Sequence, residues 1–164
     1  MVRAPERGGG TCFAHQSAAF DALEYEQQEY WSRLSSVNAT SGIVHPMVHL
    51  HPLTKRNSVW LHLGMTGAVI MKDPKENLFR LLDPDELKDL CHQYNNLLNA
   101  GFENGYSINY EYDTNDCLFI DNLAVAHRAA PEAHLPAEKQ GLRIMHRSTI
   151  QAVDSLKPDF GLPI

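Results

Sequence analysis

The chain has 164 residues, of which 43% are hydrophobic and 21% charged. This length and composition predict one globular domain, residues 1–164, and exclude a disordered or fibrous protein. Acidic residues number 20 and basic residues 14, for a net charge of -6, and the sequence has no basic stripe, so we expect no nucleic-acid partner.

Three cysteines are widely spaced along the chain: Cys12, Cys91 and Cys117. An odd number at these spacings predicts neither a disulfide framework nor a Cys-x-x-Cys metal site, so we expect a reducing compartment. The N-terminal sequence MVRAPERGGG lacks the apolar core of a signal peptide, and no apolar run approaches the roughly 20 residues of a membrane span. Together these features predict a cytoplasmic protein with no membrane partner.

The first third of the chain predicts a strand around Thr11 followed by one helix. Ser17 is placed to cap a helix that runs to about Ser35, because large apolar side chains recur there at helical spacing. A polar linker, 35–42, should follow this helix.

The segment His45 to His51 alternates as a strand, with His45, Met47, His49 and His51 on one face. Two histidine rings that project the same way can bind a metal. The prolines at 46 and 52 instead favour a strand edge whose histidines are partly exposed packing residues, and we prefer this second interpretation. Val59 to Leu63 then returns as a strand after a polar turn.

The next segment contains a strong signal for the start of a helix. Asp83 is a predicted N-cap, a proline occupies the first helical position, and Glu86 completes a capping box. Gly101 is expected to end this helix. Tyr106 to Tyr112 then alternates as a half-buried strand, which turns back into an apolar run, Cys117 to Ile120.

Two arginines, Arg143 and Arg147, share one face of a further apolar run, Leu142 to Ile150, if that run is a strand. Guanidinium groups that face into a barrel without a partner would cost on the order of several kcal/mol, so an anionic partner is expected. His127 lies alone between the two apolar runs. A histidine upstream of a strand with paired arginines suggests a metal beside a bound carboxylate.

Four segments, in this order, resemble the taurine dioxygenase family (TauD/TfdA-like) of iron(II)- and 2-oxoglutarate-dependent dioxygenases. They are GGGTCFA, HPMVHLHPLTKRNSVWL, NDCLFIDNLAVAHRA and RIMHRSTI. The resemblance implies a mainly β fold with flanking helices, a double-stranded β-helix or jelly roll. Periodicity alone supports only a mixture of strands and helices.

The same resemblance assigns roles to four residues. It implies that His127 is the distal iron ligand, that Arg143 holds the far carboxylate of 2-oxoglutarate, and that Thr11 assists this arginine. Arg147 would be a catalytic residue beside the substrate or cosubstrate. The implied cofactor and cosubstrate are Fe(II) and 2-oxoglutarate, and the implied partner is a small organic substrate.

The family's His-x-Asp or His-x-Glu pair has no counterpart in this chain. None of the nine histidines is followed two residues later by Asp or Glu. A facial triad needs two histidines and a carboxylate, and His127 supplies one ligand. We therefore expect a jelly roll that is incomplete at its N-terminus and that forms a homo-oligomer through unpaired strand edges. Two functions stay open: a truncated dioxygenase, or a non-catalytic relative that keeps a dicarboxylate-binding pocket.

Overall fold

The computed structural model describes residues 1–5, 8–73 and 78–150. Its elements are, in chain order, β1 (Thr11–His15), α1 (Gln16–Asp21), α2 (Tyr25–Trp31), β2 (Leu34–Asn38), β3 (Val44–Pro46), β4 (Val48–Leu50), β5 (Asn57–Val59), β6 (Thr66–Lys72), β7 (Phe79–Leu81), α3 (Pro84–Asn104), β8 (Ser107–Tyr110), β9 (Val125–Ala129), a 3-10 helix (Pro131–His134) and α4 (Ala137–Gln140). The predicted class, a mainly β fold with flanking helices, is confirmed. The described strands form three separate antiparallel sheets, so a closed jelly roll stays a prediction.

The sheet that carries Thr11 and His127 has the strand order β8-β1-β9. Phe13 on β1 lies opposite Ile108 on β8 and opposite His127 on β9. Directly opposite residues share a face of the sheet, and side chains alternate along each strand. Thr11, Phe13 and His127 therefore lie on one face, which we call the site face.

The other face of this sheet is directed toward α3. Arg128 donates hydrogen bonds from Nη1 to Asn95 and from Nη2 to Asn99, both on α3. Ser107, next to the sheet's edge, donates from its hydroxyl to the Leu98 carbonyl at 2.7 Å. The long helix thus supports the sheet from behind and leaves the site face free of α3.

The apolar core is assembled from the helices and the other two sheets. Its buried members are Ala19, Phe20, Trp31, Leu34, Met47, Val59, Leu61, Val69, Leu82, Leu90 and Tyr94. Trp31 and Tyr94 face each other with ring centroids 6.3 Å apart. Within the described residues, no helix is both long and apolar enough to span a bilayer.

The predicted start of α3 is confirmed, whereas its predicted end is wrong. The Asp83 carboxylate accepts from the backbone N–H groups of Asp85 and Glu86, and Glu86 accepts in return from the Asp83 N–H, each at 2.9 Å. The helix continues past Gly101 to Asn104, because Gly105, at a φ of 81°, makes the left-handed C-cap. A side chain at Gly101 would collide with the Ser107 hydroxyl, so this glycine serves helix-to-strand packing.

The single helix predicted from Ser17 to Ser35 is also wrong. The chain forms α1 and α2 with a break after Asp21, and His15 rather than Ser17 caps α1 by accepting from the Ala18 N–H at 3.2 Å. The predicted polar linker is instead β2, a central strand between β3 and β6. Strand pairing on both sides satisfies the backbone groups of β2. Its serines are buried, and the Ser36 hydroxyl donates to the His45 carbonyl at 3.4 Å.

Four predicted strands differ from the structure. Of the strand expected over 59–63, only Val59 lies in a strand, at the end of β5. The strand expected over 45–51 is divided into β3 and β4. Neither Cys117 to Ile120 nor Leu142 to Ile150 forms a strand, and within the described residues the second run makes one isolated bridge, between Ile144 and Arg3. Apolar alternation creates strand propensity, but a strand persists only where a neighbouring strand accepts its backbone hydrogen bonds.

Candidate functional site

Tyr112 links two of the residues assigned from sequence. Its hydroxyl donates to Thr11 Oγ1 at 3.0 Å, and its ring lies 5.2 Å from the guanidinium carbon of Arg143. Thr11 is buried at the first position of β1. Thr11 therefore contacts the hydroxyl of Tyr112, and Arg143 lies over its ring. The sequence had predicted for Tyr112 only a place on a half-buried strand.

The guanidinium group of Arg143 has a buried N–H donor for which the described residues provide no acceptor. Its Nε is buried and has no hydrogen-bond partner among them, while Nη2 lies 3.9 Å from the sulfur of Met145. A buried N–H without an acceptor costs about 1–3 kcal/mol. A carboxylate placed against the guanidinium would remove this cost and form the charge-assisted contact that arginine favours.

His127 lies on the site face in the middle of β9. Its ring centroid is 6.1 Å from that of Phe13, the residue opposite it on β1. Partial burial lowers the pKa of His127, and the nearby charges of Arg147 and His62 lower it further. The imidazole is therefore mainly neutral at pH 7, which is the form that binds a metal. Arg147 itself is exposed beside His127 rather than on a strand with Arg143.

His49 and His51 are buried, at 7% and 2% exposure, and not partly exposed as expected. His49 Nε2 donates to the Leu123 carbonyl at 3.0 Å, and His51 Nε2 donates to the Asp121 carboxylate at 3.0 Å. Both Nε2 atoms are thus occupied by protein partners. The structure supports the packing interpretation over a metal pair. The partner segment, the Asp-Asn turn before His127, could not be found from the spacing of the histidines.

The sequence model of the taurine catabolism dioxygenase TauD, TfdA family matches residues 1–149. This chain belongs to that family. A curated relative, the alpha-ketoglutarate-dependent sulfonate dioxygenase of Saccharomyces cerevisiae, is 22% identical over 175 residues, covering 96% of this chain and 39% of the relative.

Two solved structures share the fold of this chain. A taurine dioxygenase from Burkholderia xenovorans is 20% identical with a TM-score of 0.60, covering 78% of this chain and 44% of that one. AAD-2, solved in complex with Mn(II) and N-oxalylglycine, is 18% identical with a TM-score of 0.63, covering 80% of this chain and 54% of that one. The chain thus spans roughly half the length of these relatives or less.

A complete iron centre of the family type does not fit the described residues alone. Among 1–5, 8–73 and 78–150, no three His, Cys, Asp or Glu side chains are grouped so that they could hold a metal. His127 is available as one neutral nitrogen ligand, and a facial triad needs a second histidine and a carboxylate. The cosubstrate site fits better, since Arg143 presents an open buried donor.

A separate groove of about 270 Å³ lies along α3, lined by Leu63, Lys88, Cys91, His92 and Asn95. Burial raises the pKa of the Cys91 thiol. The thiolate is the nucleophilic form of cysteine, so this burial disfavours the reactive form of Cys91. We assign no chemistry to this groove.

Proposed function

We propose that this chain contributes the 2-oxoglutarate-binding part of an iron(II)- and 2-oxoglutarate-dependent dioxygenase that hydroxylates a small organic substrate. The observation that carries the proposal is the half-buried Arg143, whose Nε is open and whose guanidinium lies against Tyr112. Family membership supports the type of reaction. The substrate itself is left open beyond its class.

In this proposal, Arg143 binds the distal carboxylate of 2-oxoglutarate through paired N–H donors. Thr11 holds Tyr112 in place under the arginine, and His127 provides one iron ligand. Arg147 lies beside the substrate or cosubstrate, and its positive charge adds to the effect of burial in lowering the pKa of His127. When bound, iron and 2-oxoglutarate supply the oxidant. The residues of this chain bind and orient those groups.

The jelly roll and a homo-oligomeric state belong to the same proposal. Similarity to the solved dioxygenase structures supports the jelly roll. Exposed apolar side chains support self-association, among them Ile108, Phe119, Ile120, Leu142, Ile144 and Ile150. Sedimentation that shows a clean monomer at high concentration would count against self-association. A cytoplasmic location stays a prediction from sequence.

Isothermal titration with 2-oxoglutarate tests the binding assignment. Arg143→Ala should weaken binding by roughly tenfold to a hundredfold, because a charge-assisted contact contributes on the order of 1.5–3 kcal/mol. Arg143→Lys should restore only part of the affinity, since lysine lacks the planar fork. Arg128→Ala is the matched control, because Arg128 points to the opposite face of the sheet. Unchanged affinity in Arg143→Ala would refute the assignment.

A second candidate function is dicarboxylate binding without catalysis, in a relative of the dioxygenases that keeps the pocket. It is favoured by the absence of a His-x-Asp or His-x-Glu pair from the 164 residues. Both candidates predict 2-oxoglutarate binding, so turnover has to separate them.

The turnover assay supplies iron(II), ascorbate, oxygen and 2-oxoglutarate and measures succinate. We expect this chain alone to release none, because His127 is one ligand of the three required. Succinate formation that is lost in His127→Ala would show that the chain is an enzyme as it stands. A second variant is a chain extended upstream to include an in-frame His-x-Asp. If it releases succinate and this chain does not, the dioxygenase is favoured; if it releases none, the binding relative is favoured.

A further inference from the structure

The turn that leads into β9, residues 121–124, is held by a set of buried polar groups. Every residue of this turn accepts a hydrogen bond from an element of the first half of the chain. These contacts run from His51 Nε2 to Asp121 Oδ2 (3.0 Å), from Gln16 Nε2 to the Asn122 carbonyl (3.4 Å), from His49 Nε2 to the Leu123 carbonyl (3.0 Å) and from the Gln16 backbone N–H to the Ala124 carbonyl (2.8 Å). Four consecutive residues are thereby fixed from one side.

The direction of these hydrogen bonds is determined by chemistry. A carbonyl only accepts, so His49 must carry its proton on Nε2. His51 Nδ1 accepts from the backbone N–H groups of Leu53 and Thr54, both at 3.2 Å, so the His51 proton is also on Nε2 and is donated to Asp121. Each imidazole is therefore locked in one tautomer by its surroundings.

The carboxylate of Asp121 completes the arrangement. Burial alone would raise the pKa of Asp121, but hydrogen bonds from the Leu123 N–H and from His51 outweigh it, and the pKa is lowered. The side chain of Asp121 is 51% exposed, whereas that of His51 is 3% exposed. The turn thus presents a half-exposed carboxylate acceptor to a buried imidazole donor.

These donors are connected to the core of the protein. His49 lies opposite Ser58 in the β4-β5 pair, and the Ser58 hydroxyl is hydrogen-bonded to that of Ser17 on α1 at 2.7 Å within a fully buried contact. Val59, the next residue, belongs to the apolar core. A shift of His49 would therefore disturb β5 and, through Val59, the core.

Residues 121–124 also determine where β9 begins. Val125, the first residue of β9, donates its N–H to the Asp121 carbonyl at 2.9 Å and lies opposite His15 on β1. This start places His127 opposite Phe13 on the site face. A slip of one residue would move His127 to the face that is covered by α3, since side chains alternate along a strand.

We propose that Gln16, His49 and His51 form a positioning cradle that sets the register of β9 and so holds His127 on the site face. The importance of this cradle for catalysis rests on the proposed role of His127 as an iron ligand. The cradle itself is a statement about β9 and can be tested without metal.

The test is amide hydrogen exchange by NMR on the full chain, comparing β9 with β6. His51→Leu removes the donor to the turn. Asp121→Ala removes the same hydrogen bond from its more exposed side, together with the acceptor of the Leu123 N–H. In both variants we expect exchange in β9 to accelerate at least tenfold relative to β6. His51→Gln keeps an N–H near the position of Nε2 and should recover most of the protection.

A core variant separates positioning from general destabilisation. Val69→Ala, on β6, should accelerate amide exchange in both sheets through global unfolding. It should leave intact the contact between the Phe13 and His127 rings, whose centroids are 6.1 Å apart, as measured by nuclear Overhauser spectra. In His51→Leu this contact should weaken. The cradle would be overturned if amide exchange accelerated equally in β9 and β6 in His51→Leu and Asp121→Ala. It would also be overturned if His51→Gln and His51→Leu showed the same exchange in β9.

Titration of the same variants with 2-oxoglutarate keeps the two proposals distinguishable. Affinity should stay within about twofold of the unsubstituted chain, because the cradle does not touch Arg143. If the unsubstituted chain binds no 2-oxoglutarate, the proposed function fails while the exchange data still decide the cradle. If binding is normal and β9 exchange is unchanged, the cradle fails alone.

Discussion

The buried apolar core runs from Ala19 to Tyr94, whereas His127 and Arg143 lie in the part of the chain after α3. Among the described residues, Phe119 is 95% exposed there, and that later part contributes no buried residue to this core. It is attached to the rest by strand pairing with β1, by the polar contacts of Gln16, His49 and His51, and by the contacts of Arg128 with α3.

The difference shows how stability and function are divided in this chain. The core part is stabilised by burial, which is non-directional and costly to interrupt. The site part is held by directional contacts that place individual side chains. Substitutions in the core should therefore change the free energy of unfolding, and substitutions near the site should mainly change binding.

The largest expected effect is on the core. Leu34→Ala, at a position with no exposure, should lower the free energy of unfolding by about 2–5 kcal/mol through lost burial and a residual cavity. Phe119→Ala, in the site part, should change it by no more than about 0.5 kcal/mol. Urea denaturation of both variants measures this, and similar losses would show that the two regions are stabilised alike.

The next effect concerns the start of α3, which supports both regions. Asp83→Ala should cost about 0.5–2 kcal/mol, because two backbone N–H groups lose their acceptor. Asp83→Asn keeps an acceptor oxygen and should cost less. Thermal unfolding of the pair checks the ranking, and it would be contradicted by an alanine variant as stable as the asparagine one.

A smaller effect is expected at Tyr112, which joins Thr11 to Arg143. Tyr112→Leu removes the ring under the guanidinium and should weaken 2-oxoglutarate binding roughly two- to fivefold, since a cation–π contact at a solvent-accessible site contributes about 0.5–1 kcal/mol. Tyr112→Phe keeps the ring and should bind more tightly than the leucine variant. Titration calorimetry decides this, and equal affinities would argue that the ring plays no part.

The smallest effect is on the pH dependence of stability. Burial lowers the pKa of His49 below 6.5 in the folded chain, so the unfolded chain binds a proton more readily. The contribution of His49 is fully present above about pH 6.5 and is lost as the pH falls through the folded-state pKa. The pKa values of His45 and His127 are lowered as well, so the total loss has the same sign.

His49→Gln isolates the share of that one residue. Denaturation midpoints at about pH 7.5, 6.0 and 5.0 should fall less steeply for the variant than for the unsubstituted chain. Parallel curves would indicate that His49 is protonated without cost, because its hydrogen bond to the Leu123 carbonyl offsets the effect of burial on its pKa.

Local signals in the sequence predicted several features correctly. The strand after Gly10, the capping box at Asp83 and the strand before Tyr112 all depend on residues close together in the chain, and all three are present. Predictions that needed a distant partner failed: the runs 117–120 and 142–150 have strand-like alternation but no neighbouring strand within the described residues.

The sequence by itself determined the family, the class of fold and the residues Thr11, His127 and Arg143 as candidates, because motifs and alternation are properties of neighbouring residues. The tertiary structure decided which of them meet: Tyr112 between Thr11 and Arg143, and the cradle beneath the turn before His127. Those contacts join residues that are 31 to 101 positions apart in the chain, and no local pattern encodes a partner at such distances. Burial of His49 and His51 follows from how the sheets and α1 pack together, which only the folded chain fixes.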